Sequence, residues 1–257
     1  MVGLIVVPCL LPAIVQLSLL DRLLHRDLSN PDHTTNLDIH YDIPELAPGH
    51  EVNEQSCISW FDLDQQYQLE PKDPGVHKSL TMKQVLEKKL RWVTLGGQYD
   101  WTNKVYPHEK PPAFPQDIAD LVRSVFAGIE PQAAILNFYS PGDTLSLHRD
   151  VSEECARGLV SISIGCDALF LVANADASQS TVIRLRSGDA ILMSGKSRYA
   201  WHAVPKVLAG TCNPELSNWP AEQSDRYASW RGWLANRRIN LNVRQMREES
   251  YHYESSH

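Results

Sequence analysis

The sequence predicts an α+β protein with a mainly β core, a β-sandwich or jelly roll of about eight strands behind N-terminal helices. Helical periodicity is confined to the first half of the chain, whereas short β-branched runs separated by turn residues fill the second half. No internal repeat or low-complexity tract interrupts either half. With 257 residues, 43% of them hydrophobic, the chain can bury a core, which excludes disordered, collagen-like and coiled-coil proteins.

The N-terminal part is predicted to begin with a strand and a helix. The strand covers Leu4–Val7, and the helix runs from about Pro12 to about His25. The apolar stretch Leu4–Leu20 lacks a basic segment and contains two prolines, so it fits neither a signal peptide nor a membrane span. From Asp27 to Gly75 the chain is polar and rich in proline, which predicts a long irregular segment.

Two further helices and a series of strands follow. Thr81 is suited to cap a helix over Thr81–Arg91, and a second helix is expected over Asp117–Phe126. The predicted strands are Ala134–Tyr139, Leu159–Ile164, Ala168–Val172, Thr181–Leu185, Ala190–Met193 and Ile239–Val243.

Charge and cysteine content restrict the partners and the compartment. The chain has 24 basic and 31 acidic residues, a net charge of -7, so any contact with nucleic acid requires a local basic patch. Five cysteines form no C-x-x-C pair and leave one unpaired, which favours free thiols in a reducing, intracellular compartment. We expect a monomer that does not enter a membrane; the pattern does not distinguish nucleus, cytoplasm and mitochondrion.

A pair of histidines and one carboxylate suggest a metal site. On a strand, His148 and Asp150 would point the same way, and His202 could arrive from another strand. Two histidines and a carboxylate that leave open coordination positions are the ligand set of non-haem Fe(II) oxygenases. A surface histidine beside an acid is the alternative, and H-x-D alone does not exclude it.

The last predicted strand alternates between polar and apolar residues. Arg238, Asn240, Asn242 and Arg244 share one face, which on an ordinary sandwich strand would contact water. Inside a jelly roll, the same guanidiniums could hold a dicarboxylate, because arginine binds carboxylates in a bidentate way. Beside an open Fe(II) site, that dicarboxylate would be 2-oxoglutarate.

The segment before His148 supports this second reading. Asn137 and Tyr139 share a strand face, and Pro141-Gly142 predicts a turn. Alone, Tyr139 would be an ordinary core aromatic residue.

Together these motifs resemble the AlkB-type Fe(II)/2-oxoglutarate dioxygenases, and within them the eukaryotic AlkB homologue 1 group. The matching residues are Asn137-x-Tyr139-x-x-Gly142, His148-x-Asp150, His202 and Arg238-x-Asn240-x-x-x-Arg244. The similarity extends over about Leu90–Gln245, and it includes an insertion at about 208–236 and a nucleotide-recognition lid that starts at Leu90–Gly96.

The resemblance implies a division of the chain and a role for each matched residue. It implies an N-terminal extension (1–80), a lid with supporting helices (81–132), a double-stranded β-helix catalytic core (133–247) and a tail (248–257). His148, Asp150 and His202 would bind Fe(II). Tyr139 and Arg238 would hold the distal carboxylate of 2-oxoglutarate, and Asn137, Asn240 and Arg244 its metal end.

The implied reaction is the oxidative demethylation of N-methylated bases in DNA or tRNA. O2 and 2-oxoglutarate are consumed, and succinate and formaldehyde are released. The residues implied for substrate binding are Arg91, Trp92, Trp101, Tyr106, Ser152 and Arg198. A serine at position 152, where the bacterial prototype has an acid, leaves the base preference open. A protein or small-molecule substrate, or a binding module without iron, are the alternatives.

Overall fold

The computed structural model describes residues 2–44, 59–222 and 224–248. Within them the strands, in chain order, are β1 (Leu4–Val7), β2 (Gln68–Leu69), β3 (Leu80–Thr81), β4 (Trp92–Gly96), β5 (Ala133–Tyr139), β6 (Leu145–His148), β7 (Leu159–Gly165), β8 (Ala168–Ala173), β9 (Ser180–Leu185), β10 (Ala190–Met193), β11 (Trp201–Val207) and β12 (Arg238–Arg244).

Two antiparallel sheets form the core. The larger has the strand order β1-β10-β7-β12-β5-β4, and the smaller has the order β6-β11-β8-β9, while β2 and β3 pair separately. Every strand predicted from the sequence is present, within one residue of its expected ends. This confirms the mainly β jelly-roll class.

The alternation in β12 separates a packed face from a cavity face. Ile239, Leu241 and Val243 are fully buried in the core that also contains the N-terminal helix. Arg238 and Arg244 point the other way, into a cavity lined from both sheets. The polar face of β12 therefore lines that cavity and is not an outer, solvent-exposed face of the sheet.

The helices pack outside the sheets. Helix α1 (Ala13–Asp21) continues as π-helical turns over Arg22–Asp27, and helix α2 (Met82–Gln84) continues similarly over Val85–Lys89. The other helices are α3 (Gln116–Val125), α4 (Pro214–Ser217) and the 3₁₀ segments Trp60–Asp62, Gly195–Ser197, Asp225–Trp230 and Trp233–Asn236. The predicted cap of α2 is present, because the Thr81 hydroxyl accepts from the Gln84 amide at 3.1 Å.

Three tryptophans attach residues 208–236 to the N-terminal part of the chain. Their ring N–H groups donate to Asp21 (from Trp219, 2.7 Å), to the carbonyl of Phe61 (from Trp230, 3.0 Å) and to the carbonyl of Leu86 (from Trp233, 3.1 Å). All three rings are buried. Residues 208–236 therefore pack against α1, the 3₁₀ segment Trp60–Asp62 and the π-helical turns Val85–Lys89.

One expected element is different in the structure. Residues 92–96, assigned by resemblance to the lid, form strand β4 at the edge of the larger sheet. Val93 and Leu95 are fully buried there, and this burial fixes the segment in the core. The stretch is thus part of the core sheet, and its part in nucleotide recognition stays a prediction. The division of the chain into an extension, lid, core and tail also stays a prediction. Residues 45–58 of the irregular 27–75 stretch, and the tail from 249 onwards, lie outside the described residues.

Among the described residues, no helix combines the length and apolarity needed to cross a bilayer.

Candidate metal centre

The smaller sheet brings the two predicted histidines together. Strands β6 and β11 pair in a register that sets His148 directly opposite His202. Their ring centroids are 4.2 Å apart. Two side chains 54 positions apart in sequence thus become cross-strand neighbours, which propensity and periodicity could not reveal.

Asp150 completes the group from just beyond the end of β6. The expectation that His148 and Asp150 share one strand face is wrong in its detail, because the strand stops at His148. The chain nevertheless places Asp150 Oδ1 3.6 Å from His148 Nε2. One donor atom from each of the three residues lies within 4.8 Å of the other two, so all three can bind a single ion.

Backbone carbonyls orient both imidazoles. His148 Nδ1 lies 2.8 Å from the carbonyl of Ser146, and His202 Nδ1 lies 3.1 Å from that of Ala200. If each Nδ1 carries the proton and donates it, each Nε2 keeps a lone pair for a metal. Burial also lowers the pKa of His202, which favours the neutral form that a metal requires.

A buried network of charges holds Asp150. Arg244 donates to Asp150 Oδ2 at 3.2 Å and to Glu153 at 2.9 Å, and Arg198 donates to Glu153 at 2.6 Å and to the Asp150 carbonyl at 2.8 Å. Burial acts to raise the pKa of the Asp150 carboxyl, but Arg244 and then His202 and His148 lower it below its ordinary value. Asp150 is therefore ionised, with Oδ1 directed towards the histidines.

The other end of the cavity, whose volume is about 210 Å³, contains a buried cation. Arg238 is 1% exposed, and no described carboxylate pairs with it. Its neighbours are neutral: Ser163 accepts from Nη2 at 2.9 Å, and the Tyr139 ring centroid lies 5.3 Å from the guanidinium carbon. Among the described residues, Arg238 Nε and Nη1 have no acceptor in hydrogen-bonding geometry.

These two ends fit an iron and a dicarboxylate. A buried guanidinium without an anion costs several kcal/mol, and a carboxylate that enters the cavity would offset that cost. Asn137 and Asn240 face each other across β5 and β12 and line the cavity between Arg238 and the histidines. The donor set of two imidazoles and one carboxylate is the set expected for non-haem Fe(II).

Comparison with known proteins agrees with this geometry. Residues 49–244 match the 2OG-Fe(II) oxygenase superfamily. The chain belongs to this superfamily. It is therefore an oxygenase that uses Fe(II) and 2-oxoglutarate with O2, and the non-catalytic alternative loses its support.

Within this superfamily, the chain is similar to curated proteins that are named as RNA and tRNA demethylases. The oxygenase is 53% identical to the N6-methyladenosine RNA demethylase ALKB1 of Pyricularia oryzae. The alignment covers 96% of the oxygenase and 75% of the relative. The oxygenase is 37% identical, across 95% of its length and 79% of the relative, to the tRNA demethylase abh1 of Schizosaccharomyces pombe. Its fold is similar to that of the solved structure of OsALKBH1, with a TM-score of 0.60 and 19% sequence identity. The superposition covers 95% of the oxygenase and 96% of OsALKBH1. The last likeness concerns the fold alone.

The residues expected to bind substrate separate into two groups. Trp101, 41% exposed, lines the cavity, and so does Ser152, whose hydroxyl lies 3.1 Å from that of Tyr99. Trp92 stacks behind Trp101, with ring centroids 4.7 Å apart, and does not line the cavity.

Three more of the residues expected to bind substrate do not line the cavity. Arg91 pairs with Asp143 at 2.5 Å outside the cavity lining. Tyr106 is buried beneath Tyr99, and burial raises its pKa to about 12 although the nearby Arg244 opposes the shift. Arg198 is 1% exposed and pairs with Glu153, so its guanidinium does not face the cavity as a substrate contact would.

Sequence reasoning missed residues that the fold adds to the site. Glu153, one of two adjacent acids in the sequence, pairs with two buried arginines, Arg198 and Arg244. Arg149, between the two metal-binding residues of the motif, lies at the rim with its guanidinium carbon 4.8 Å from the centroid of the Trp201 ring. Asn242, on the polar face of β12, donates to Asp150 at 3.4 Å. The alternation in β12 was a usable signal for Asn242, whereas Glu153 had none.

Proposed function

We propose that this oxygenase removes methyl groups from N-methylated bases in nucleic acid, RNA or DNA, and releases formaldehyde and succinate. The observation that carries the proposal is the exposed Trp101 ring at the mouth of the cavity that holds His148, Asp150 and His202. A base extruded from its strand needs an aromatic surface on which to stack and a pocket deep enough to reach the metal. The relatives named as RNA and tRNA demethylases support the same substrate class.

When bound, iron with 2-oxoglutarate and O2 supplies the oxidising chemistry. The task of the chain is positioning. We infer that His148, Asp150 and His202 hold the metal, that Arg238 and Tyr139 receive the distal carboxylate, and that Asn137 and Asn240 border the keto acid between them. The Arg244 guanidinium then keeps Asp150 ionised and oriented.

The cavity mouth also suggests how the base edge is recognised. Ser152 and Tyr99 present two hydroxyls 3.1 Å apart, and a hydroxyl can both donate and accept. Such a pair accepts a neutral methylated base, as N6-methyladenine is, without requiring the positive charge that a carboxylate at position 152 would favour. We therefore propose methylated adenine in RNA as the first substrate to test, in agreement with the name of the Pyricularia relative.

The experiment is nucleoside mass spectrometry. Methylated RNA and DNA oligonucleotides are incubated with the protein, Fe(II), ascorbate and 2-oxoglutarate, and loss of the methylated nucleoside is compared with formaldehyde and succinate formed. We expect the methylated nucleoside lost, the formaldehyde formed and the succinate formed to be equimolar. None of the three changes should be detected with Asp150→Ala. If 2-oxoglutarate is converted to succinate but no oligonucleotide is demethylated or stimulates the conversion, the substrate is a protein or a small molecule.

We further propose that the enzyme acts as a monomer inside the cell, with residues 81–132 contributing to nucleotide recognition. The four described cysteines, Cys9, Cys155, Cys166 and Cys212, are free, which supports a reducing compartment. Light scattering after size-exclusion chromatography tests the monomer, and a dimer mass would contradict it.

A further inference from the structure

A second cavity lies between helix α2 and residues 229–237. Its volume is about 360 Å³, and we call it the Arg237 cavity, defined by Lys83, Glu87, Arg231, Trp233 and Arg237. It shares no lining residue with the cavity that contains His148, Asp150 and His202, which we call the iron cavity. Three cations and one acid line it, in a protein whose net charge is -7. The cavity is therefore a local positive site on an acidic molecule.

The guanidinium in this cavity is held in place but incompletely satisfied. Arg237 Nη1 donates to the Glu87 carbonyl at 2.9 Å and lies 3.2 Å from the Ser140 hydroxyl, and its guanidinium carbon lies 4.8 Å from the Trp233 ring centroid. Arg237 Nε is buried with no acceptor among the described residues. A guanidinium that is held in place and keeps a donor without an acceptor is suited to a phosphate or carboxylate.

The lack of acidic partners distinguishes these arginines from most others in the chain. Ten of the fifteen arginines, all within the described residues, pair with a described Asp or Glu. Two of the remaining five, Arg231 and Arg237, lie in this one cavity, and Lys83 beside them forms no ion pair with a described acid either. Arg231 and Lys83 are exposed and so can meet a ligand from solution.

We propose that the Arg237 cavity binds a phosphodiester group of the substrate nucleic acid, outside the nucleotide that enters the iron cavity. This rests on the proposed function. Phosphate contacts supply most of the affinity of a nucleic-acid enzyme, and an acidic protein must concentrate them at a few sites. Arg237 supplies the fixed guanidinium, and the exposed Lys83 and Arg231 add positive charge at the mouth of the cavity.

The test uses the exposed residues, so that the packing around Arg237 is preserved. Lys83→Ala/Arg231→Ala is compared with Lys88→Ala/Lys89→Ala, which removes two exposed lysines of the same helical segment that do not line the cavity. Affinity for a labelled, unmethylated RNA of about 20 nucleotides is measured by fluorescence anisotropy between about 50 and 200 mM salt. Demethylation of a methylated trinucleotide and of a long methylated RNA is measured in parallel.

We expect the cavity variant to bind the long RNA about tenfold more weakly at low salt, with a salt dependence shallower by about one unit per cation removed. Its turnover of the trinucleotide should equal that of the wild type, and Lys88→Ala/Lys89→Ala should resemble the wild type throughout. Equal salt slopes for the two double variants would overturn the proposal. So would competition by micromolar inorganic phosphate, which would make the cavity a free-anion site. Failure of the wild type to demethylate any methylated RNA or DNA oligonucleotide would refute the proposed function instead, and the anisotropy measurements would still test the phosphate site in the Arg237 cavity.

Discussion

Replacing Arg238 with methionine should affect cosubstrate binding and stability differently. Arg238 is fully buried, has no described acidic partner and contacts only neutral groups. In the protein without 2-oxoglutarate, Arg238→Met removes a buried unpaired charge and keeps an unbranched side chain in its place. With 2-oxoglutarate, the same change leaves the distal carboxylate without its cation.

Both magnitudes follow from these contacts. Losing one partner of a buried, hydrogen-bonded ion pair costs about 2–5 kcal/mol, so the KM for 2-oxoglutarate should rise at least about 30-fold. The free energy of unfolding without cosubstrate should fall by no more than about 1 kcal/mol, the value of the lost hydrogen bond to Ser163, because removing the buried charge offsets that loss.

The assay compares urea denaturation with and without 2-oxoglutarate under anaerobic conditions. At 100 times its dissociation constant for the wild type, 2-oxoglutarate should stabilise the wild type by about 2.7 kcal/mol. At the same concentration, a variant that binds at least about 30-fold more weakly should be stabilised by no more than about 0.9 kcal/mol. Arg186→Met, at an exposed arginine outside the cavity with no described acidic partner, is the control and should behave as the wild type. An unchanged KM, or equal stabilisation of wild type and Arg238→Met, would refute the assignment of this cation to the carboxylate.

Three other predictions concern the network, the pH dependence and the cavity mouth. Glu153→Gln removes the acid that Arg198 and Arg244 share. Arg244 keeps Asp150, but Arg198 loses its described carboxylate, so the free energy of unfolding should fall by about 3–5 kcal/mol. Glu154→Gln, at a half-exposed ion pair, should change it by less than about 1 kcal/mol, and similar losses for the two variants in urea melts would contradict the network. Burial lowers the pKa of His25 from 6.5 to about 4, so the unfolded chain binds the extra proton between these values. The contribution of His25 to the free energy of unfolding should be full above pH 6.5 and fall by on the order of 3 kcal/mol towards pH 4. His25→Phe should remove this part of the decline and keep the part due to other buried histidines such as His33, and an equally steep decline in the variant would contradict the assignment. Trp101→Ala should lower kcat/KM for methylated RNA at least about tenfold while uncoupled conversion of 2-oxoglutarate to succinate persists, and a parallel loss of both would assign Trp101 a structural role instead.

Local patterns predicted seven of the twelve described strands and the polar face of β12, because alternation and β-branched composition act over a few residues. They predicted no range for β2, β3, β4, β6 or β11. Strand β4 was missed for a different reason: resemblance suggested a lid, although Val93 and Leu95 alternate with Thr94 as an edge strand does. Its assignment depended on pairing with β5, some forty residues away.

The charged network lay beyond any sequence pattern. Arg198 was expected to contact substrate because it lies close to the matched residue His202 in the sequence. Its partner Glu153 is 45 residues away, and only the folded chain brings both to the back of Asp150. The opposition of His148 and His202 depended in the same way on the register of β6 and β11.

The most direct test of the central claim is an anaerobic Fe(II) titration with 2-oxoglutarate present, followed by the charge-transfer absorption that chelation of the keto acid produces. We predict one iron per chain for the wild type. His148→Ala and Asp150→Ala should lose the signal and all turnover while their far-ultraviolet circular dichroism stays that of the wild type. Stoichiometric iron binding or full activity in either variant would contradict the assignment of these side chains to the metal.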